Sequence, residues 1–155
     1  MRTLTLALVA AAALAAADDP SGWTRAKWGM TTGELAAIFP DAKPNPPEKD
    51  AVLALDPIDL ADTHFRVVFF KNAAGRLAQV DLSPSSKTDW TDGTFQRLEN
   101  ALVEKYGRAW KTDEGDITTL QWTFPTTVIQ LRRIKLGATL RIVDLIYKQR
   151  SPDSL

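Results

Sequence analysis

An α+β fold, built as a tandem α-βββ repeat with an antiparallel sheet of about six strands and two helices on one face, is what the sequence predicts. Three observations lead there. Two amphipathic helical stretches are each followed by strand-like segments in the order helix, strand, strand, strand. Each series ends on a strand that follows a glycine-containing hairpin turn. Those closing strands, Leu77-Ala78-Gln79-Val80-Asp81-Leu82 and Leu140-Arg141-Ile142-Val143-Asp144-Leu145, both read L-x-x-V-D-L at a spacing of 63.

The elements follow in order. Met1-Arg2-Thr3, an uncharged run over 4–17 and Ala15-Ala16-Ala17 have the form of a secretory signal with an A-x-A cleavage site, so 1–17 is expected to be removed and 18–155 to be one domain. The run is much shorter than the roughly 20 residues that cross a bilayer. Asp18-Asp19-Pro20-Ser21-Gly22 reads as a polar linker. In the first pseudo-repeat, 28–86, Thr31 is a helix cap, with Glu34 reaching back to it and Met30 placed to pack on Leu35. The short helix presents Leu35, Ile38 and Phe39, and Pro40 stops it. Strands are predicted over 51–55, 65–71 and 76–82, with Asn72-Ala73-Ala74-Gly75 turning between the last two.

The second pseudo-repeat, 90–148, starts with the clearest helix. It spans roughly 94–106, carries Phe95, Leu98, Ala101, Leu102 and Tyr106 on one stripe, and stops at Gly107. Strands follow over 118–124, 126–136 and 138–148. The offset of 63 also superposes Thr31 on Thr94, Leu35 on Leu98 and Phe39 on Leu102.

Strand alternation sends Val80, Leu82, Val143 and Leu145 toward the helices. Leu77, Gln79, Asp81, Leu140, Ile142, Asp144 and Ile146 are then assigned to the opposite face as candidate binding residues. If that face is bare, Leu140, Ile142 and Ile146 make an apolar stripe beside a carboxylate, the kind of patch that binds a partner. The alternative is that Trp23, Trp28 or the Pro-rich stretch folds over it.

Composition removes several chemistries. Zero cysteines exclude disulfides, thiolate metal sites, a cysteine nucleophile and a lipid-bearing cysteine. Without Arg2 the chain carries 18 Lys+Arg against 19 Asp+Glu, a formal charge of −1, so no nucleic acid partner and no attraction to anionic lipid is expected. Residues 108–150 are the basic part, with 8 basic and 4 acidic side chains and Arg132, Arg133 and Lys135 close together. That cluster reads as a solvated strand face or, alternatively, as a docking patch for an acidic partner.

His64 is the single histidine and no G-x-S-x-G turn accompanies it, so it reads as an edge histidine. Asp56, Asp59, Asp62 and the Asp113-Glu114-Gly115-Asp116 loop lack calcium-hand spacing and read as solvated turn carboxylates. Trp122 alternates with Phe124 as a core residue does, while the other four tryptophans lie near element ends; a sugar-stacking platform is the alternative for them. No cofactor and no metal is expected.

The plan resembles small bacterial periplasmic proteins of the BLIP-like (β-lactamase-inhibitor-protein-like) type, in which tandem helix-plus-sheet units grip a protein partner. Gly29-Met30-Thr31-Thr32-Gly33-Glu34-Leu35 is also similar to the G-M-T-x-x-E-V opening of the BamE/SmpA outer-membrane assembly lipoproteins, over seven residues. The chain departs from the latter in having no lipid-accepting cysteine and in carrying Phe39-Pro40 where those proteins have a Leu-Gly step. The resemblance implies a shared architecture; the signal and the helix-free sheet face lead to the expectation of a periplasmic or secreted protein that is not an enzyme and that recognises a protein or peptide of the cell envelope through that face. The competing expectation is an envelope hydrolase using Asp81 and Asp144 as paired carboxylates.

Overall fold

A computed structural model describes residues 17–151; the predicted signal falls almost wholly on residues outside that range. Among the described residues the chain is α+β, with two α-helices and a large antiparallel sheet. Its elements are β1 (Gly22–Trp23), β2 (Ala26–Lys27), α1 (Thr32–Ile38), β3 (Lys43–Pro44), β4 (Ala51–Leu60), β5 (Thr63–Lys71), β6 (Leu77–Pro84), α2 (Asp92–Tyr106), β7 (Trp110–Glu114), β8 (Ile117–Thr123), β9 (Thr127–Leu136) and β10 (Leu140–Gln149), with a 3₁₀ turn at Lys87–Asp89.

Helix starts follow from their caps. Thr31 accepts from the Glu34 N–H at 3.2 Å while Glu34 accepts from the Thr31 N–H at 2.8 Å, so the predicted capping box forms. In α2 the cap is Thr91, which accepts from the Thr94 N–H at 3.1 Å, and the helix begins two residues earlier than expected. Asp92 in that first turn carries Arg133 and Arg141, which tie the helix start to β9 and β10. Gly107, at φ 85°, ends the helix.

The main sheet has eight strands, in the order β3-β4-β5-β6-β10-β9-β8-β7, rather than about six. The two extra strands lie at its edges, where β3 is two residues long and β7 is exposed along its whole length, so neither carries the alternation by which a strand is recognised. β4 runs past the predicted end at Leu55 because a register shift between Leu55 and Ile58 absorbs Asp56-Pro57.

One cluster of buried side chains joins Leu35 of α1 and Phe95, Leu98 and Leu102 of α2 to alternate residues of the strands, including Val67, Leu82, Leu145, Leu131 and Leu120 along a single row. Both helices therefore cover the same face. Trp23 joins this cluster, its ring 6.1 Å from Phe39 and 5.9 Å from Phe69, and Trp28 packs against it. The β1–β2 hairpin that delivers Trp23 needs Gly22, where a Cβ would stand 1.9 Å from the Ala26 carbonyl oxygen.

The segment read as a polar linker is built into the fold. Asp19 accepts from the Ser21 N–H (2.9 Å), the Thr126 N–H (2.6 Å) and the hydroxyls of Thr126 (2.8 Å) and Thr127 (2.9 Å), pinning the segment before β1 to the start of β9. The Trp28 indole donates to the same Thr127 hydroxyl at 2.9 Å.

Candidate functional site

The face without helices is laid out by strand register. Ile117 of β8 lies opposite Ile134 of β9, which lies opposite Ile142 of β10; in the neighbouring row Leu136 faces Leu140. Five aliphatic side chains from three adjacent strands thus form one corner patch. Ile117 is 40%, Leu136 46% and Leu140 48% exposed, while Ile142 and Ile134 are half-buried between them. Beyond the patch the face turns polar. Arg132 holds Asp144 through two bonds, Nε to Oδ1 at 2.8 Å and Nη2 to Oδ2 at 2.6 Å. Next come Asp81, which accepts from the Gln79 amide at 2.7 Å, and Gln130 donating to Gln121 at 2.8 Å. Trp110, 74% exposed, stands opposite Gln121 on the edge strand β7.

At the other end of this face Glu48, on the Pro-rich stretch before β4, forms an ion pair with Arg66 of β5, and Val68 and Ala54 are buried. The two tryptophans do not cover this face, since Trp23 and Trp28 pack on the helical side. The exposed aliphatic side chains described on this face, Ile117, Leu136 and Leu140, lie at its β8–β9–β10 end.

Of the seven residues assigned to this face, Gln79, Asp81, Leu140, Ile142, Asp144 and Ile146 lie on it. Leu77 does not, because a bulge sets Phe70 opposite Gln79 but Lys71 opposite Leu77, and the extra residue reverses the side-chain phase upstream of it. Leu77 is buried in the core, its backbone bonded on both sides by the loop before α1, to Gly29 and Met30. Ile146 lies on the face but is only 4% exposed, between Asp81 and Gln130, so the expected Leu140-Ile142-Ile146 stripe ends at Ile142. The residues missed were Ile117, Ile134, Leu136 and Trp110. Ile134 and Leu136 were legible in part, since they share one alternation phase with Arg132.

The basic cluster divides by the same alternation. Arg132 is on the bare face with Asp144, whereas Arg133 is on the helical face, 5.0 Å from the Phe95 ring centre and donating to Asp92 and Thr118. His64 pairs with Asp59 at an exposed site. Among the described residues no three His, Asp or Glu side chains converge to hold a metal.

No known family, curated protein or solved structure matches this chain.

The unusual charge of the face is Asp81. Burial pushes its pKa up, and the nearby Asp144 adds to that, while Gln79, Lys148 and Arg132 oppose it. A carboxylate whose folded pKa is raised destabilises the fold at pH values above that pKa, and the cost disappears below the unfolded value. Asp81→Asn is accordingly expected to stabilise the protein at pH 7 by on the order of 1 kcal/mol. Thermal melts of the two proteins should converge as the pH is lowered; an Asn variant less stable at pH 7 would show that the charge supports the fold.

Proposed function

We propose that this protein is an exported, non-enzymatic binding module that recognises a protein or peptide through the bare β8–β9–β10 end of its helix-free face. The observation that carries this reading is the row Ile117, Ile134 and Ile142 with Leu136 and Leu140 beside it, an aliphatic patch bordered by polar groups. Such a patch costs solubility when left in water, and its apolar centre with a charged rim has the composition of a protein-recognition surface. A partner seated there would bury the leucines and isoleucines and meet Asp144–Arg132 and Asp81 at the border.

The proposal includes the tandem origin of the scaffold and its BLIP-like character. The order of the sheet supports the former, because β4-β5-β6 and β8-β9-β10 are arranged as mirror sequences about the β6–β10 seam. Leu82 and Leu145, which are 63 residues apart and equivalent in the L-x-x-V-D-L match, face each other across that seam, as a twofold relation between the copies requires.

The hydrolase alternative has less support. Asp81 and Asp144 do share the face, but Asp144 is held in both oxygens by Arg132, and neither carboxylate lines the cleft beside Trp110 and Trp122 or the one beside the β1–β2 hairpin. An open sheet surface excludes no water from a reacting bond.

Replacing Ile142 with lysine tests the reading. Affinity capture with the tagged protein from envelope extract is expected to retain a specific polypeptide, with Ile142→Lys weakening the complex by roughly 30-fold or more. The thermal melt of the variant should stay within a few degrees of the parent. Capture that is unchanged by the substitution would move the binding surface elsewhere, and a variant that unfolds would make this face part of the core.

A further inference from the structure

On the opposite, helical side a cleft of about 550 Å³ opens between the β1–β2 hairpin, the end of α1, β4 and α2, with Tyr147 of β10 lining it. Its walls are mainly apolar, formed by Trp23, Phe39, Leu55, Ile58 and Leu102 among others. Well-packed interiors keep few voids larger than a water molecule, and a cleft of this size lies in the range of small-molecule sites.

Hydrogen-bond accounting describes what the cleft lacks. Tyr147 is 5% exposed, and its hydroxyl meets only that of Tyr106, at 3.5 Å, the outer limit of a hydrogen bond. Two phenols carry two protons and share at most one between them, so the pair that lines the cleft has an O–H to offer to an acceptor bound there. Burial, reinforced by Tyr106, pushes the Tyr147 pKa far up, which keeps that proton in place. Lys105 stands 5.2 Å from the Tyr106 ring centre, and Arg25 lines the same cleft, its guanidinium donating to the Ile38 carbonyl. The one acidic side chain in the lining, Asp59, is engaged by His64. The cleft is apolar, net positive, and offers a donor.

We propose that this cleft binds a monocarboxylic acid with an apolar body, such as a fatty acid. The chain of the ligand packs between Trp23, Phe39 and Leu102, and its carboxylate accepts from the tyrosine pair while Lys105 offsets its charge. This site is separate from the protein-binding face and stands or falls independently of it.

Isothermal titration of the purified protein with dodecanoate tests the assignment. Saturable one-to-one binding is expected, with dodecanol about tenfold weaker because it lacks the charge. Lys105→Glu, at an exposed position in the last turn of α2, should weaken dodecanoate by about tenfold or more. Ala101→Trp should fill the cleft and abolish binding, and Tyr147→Phe should weaken it with the melt preserved. No saturable binding of dodecanoate would overturn the proposal. So would binding that Ala101→Trp leaves unchanged in a variant whose melt matches the parent, because the acid would then be adsorbing elsewhere.

Discussion

Leu145→Ala is expected to lower the unfolding free energy by about 3–5 kcal/mol. Leu145 is fully buried on the central strand β10, with Leu82 of β6 on one side and Leu131 of β9 on the other. The removed methyl groups leave a cavity under both halves of the sheet, and three neighbouring strands cannot close on it without breaking register. For a domain whose whole stability is about 5–15 kcal/mol, that is a large fraction, and the melting temperature should fall by on the order of 10–20 °C. Urea denaturation measures it directly. The comparison is Leu140→Ala five residues earlier on the same strand, where the side chain is 48% exposed and the change should be within about 1 kcal/mol. A Leu145 variant losing less than about 1 kcal/mol would mean that the seam repacks and is not the centre of the core.

The second large effect is at Asp19. Replacing it with alanine removes the acceptor for two backbone N–H groups and two hydroxyls, and leaves Thr127, which is fully buried, with one partner fewer. Hydrogen bonds to a charged group each contribute about 1.5–3 kcal/mol, and since this aspartate is partly solvated and its neighbours regain water, a net loss of about 2–3 kcal/mol is expected. Burial raises the Asp19 pKa, but the bonds from Ser21, Thr126 and Thr127 together outweigh it and hold the carboxyl below its ordinary range. A lowered folded pKa stabilises the protein fully above the unfolded value, near 3.9, and the contribution is lost as the pH falls through the folded value. Melts of the parent and Asp19→Asn should therefore differ by a constant amount near neutrality and converge in acid. A difference that persists unchanged at pH 2 would assign the effect to shape and not to charge.

Some of this architecture was legible from neighbouring residues. The Thr31 and Glu34 box depends on atoms three residues apart, and the α2 stripe of Phe95, Leu98 and Leu102 depends on a single helix turn, so both follow from local spacing. The phase of β10 was equally readable, which is why Val143 and Leu145 face the helices while Ile142 and Asp144 do not. The start of α2 lies two residues before the expected one, capped by Thr91, and Asp92 in its first turn is held by Arg133 and Arg141, more than 40 residues on. On the candidate site, Ile142, Leu140, Asp144 and Asp81 were reached from alternation alone. Ile117 and Trp110 were not, since membership of the patch depends on which strands are neighbours, and β7, with every residue exposed, has no alternation to read.

The sequence by itself determined the helices, the strands long enough to alternate, and the face to which most of their side chains turn, because these are set by periods of 3.6 and 2 within one element. Only the tertiary structure decided that Leu77 enters the core, that Glu48 pairs with Arg66, that Asp19 ties the segment before β1 to β9, and that Tyr147 borders a cleft beside α2. Each of these depends on a bulge or on a contact between residues far apart in the chain, and such pairings are chosen by the competition for burial across the whole sheet, which no local pattern records.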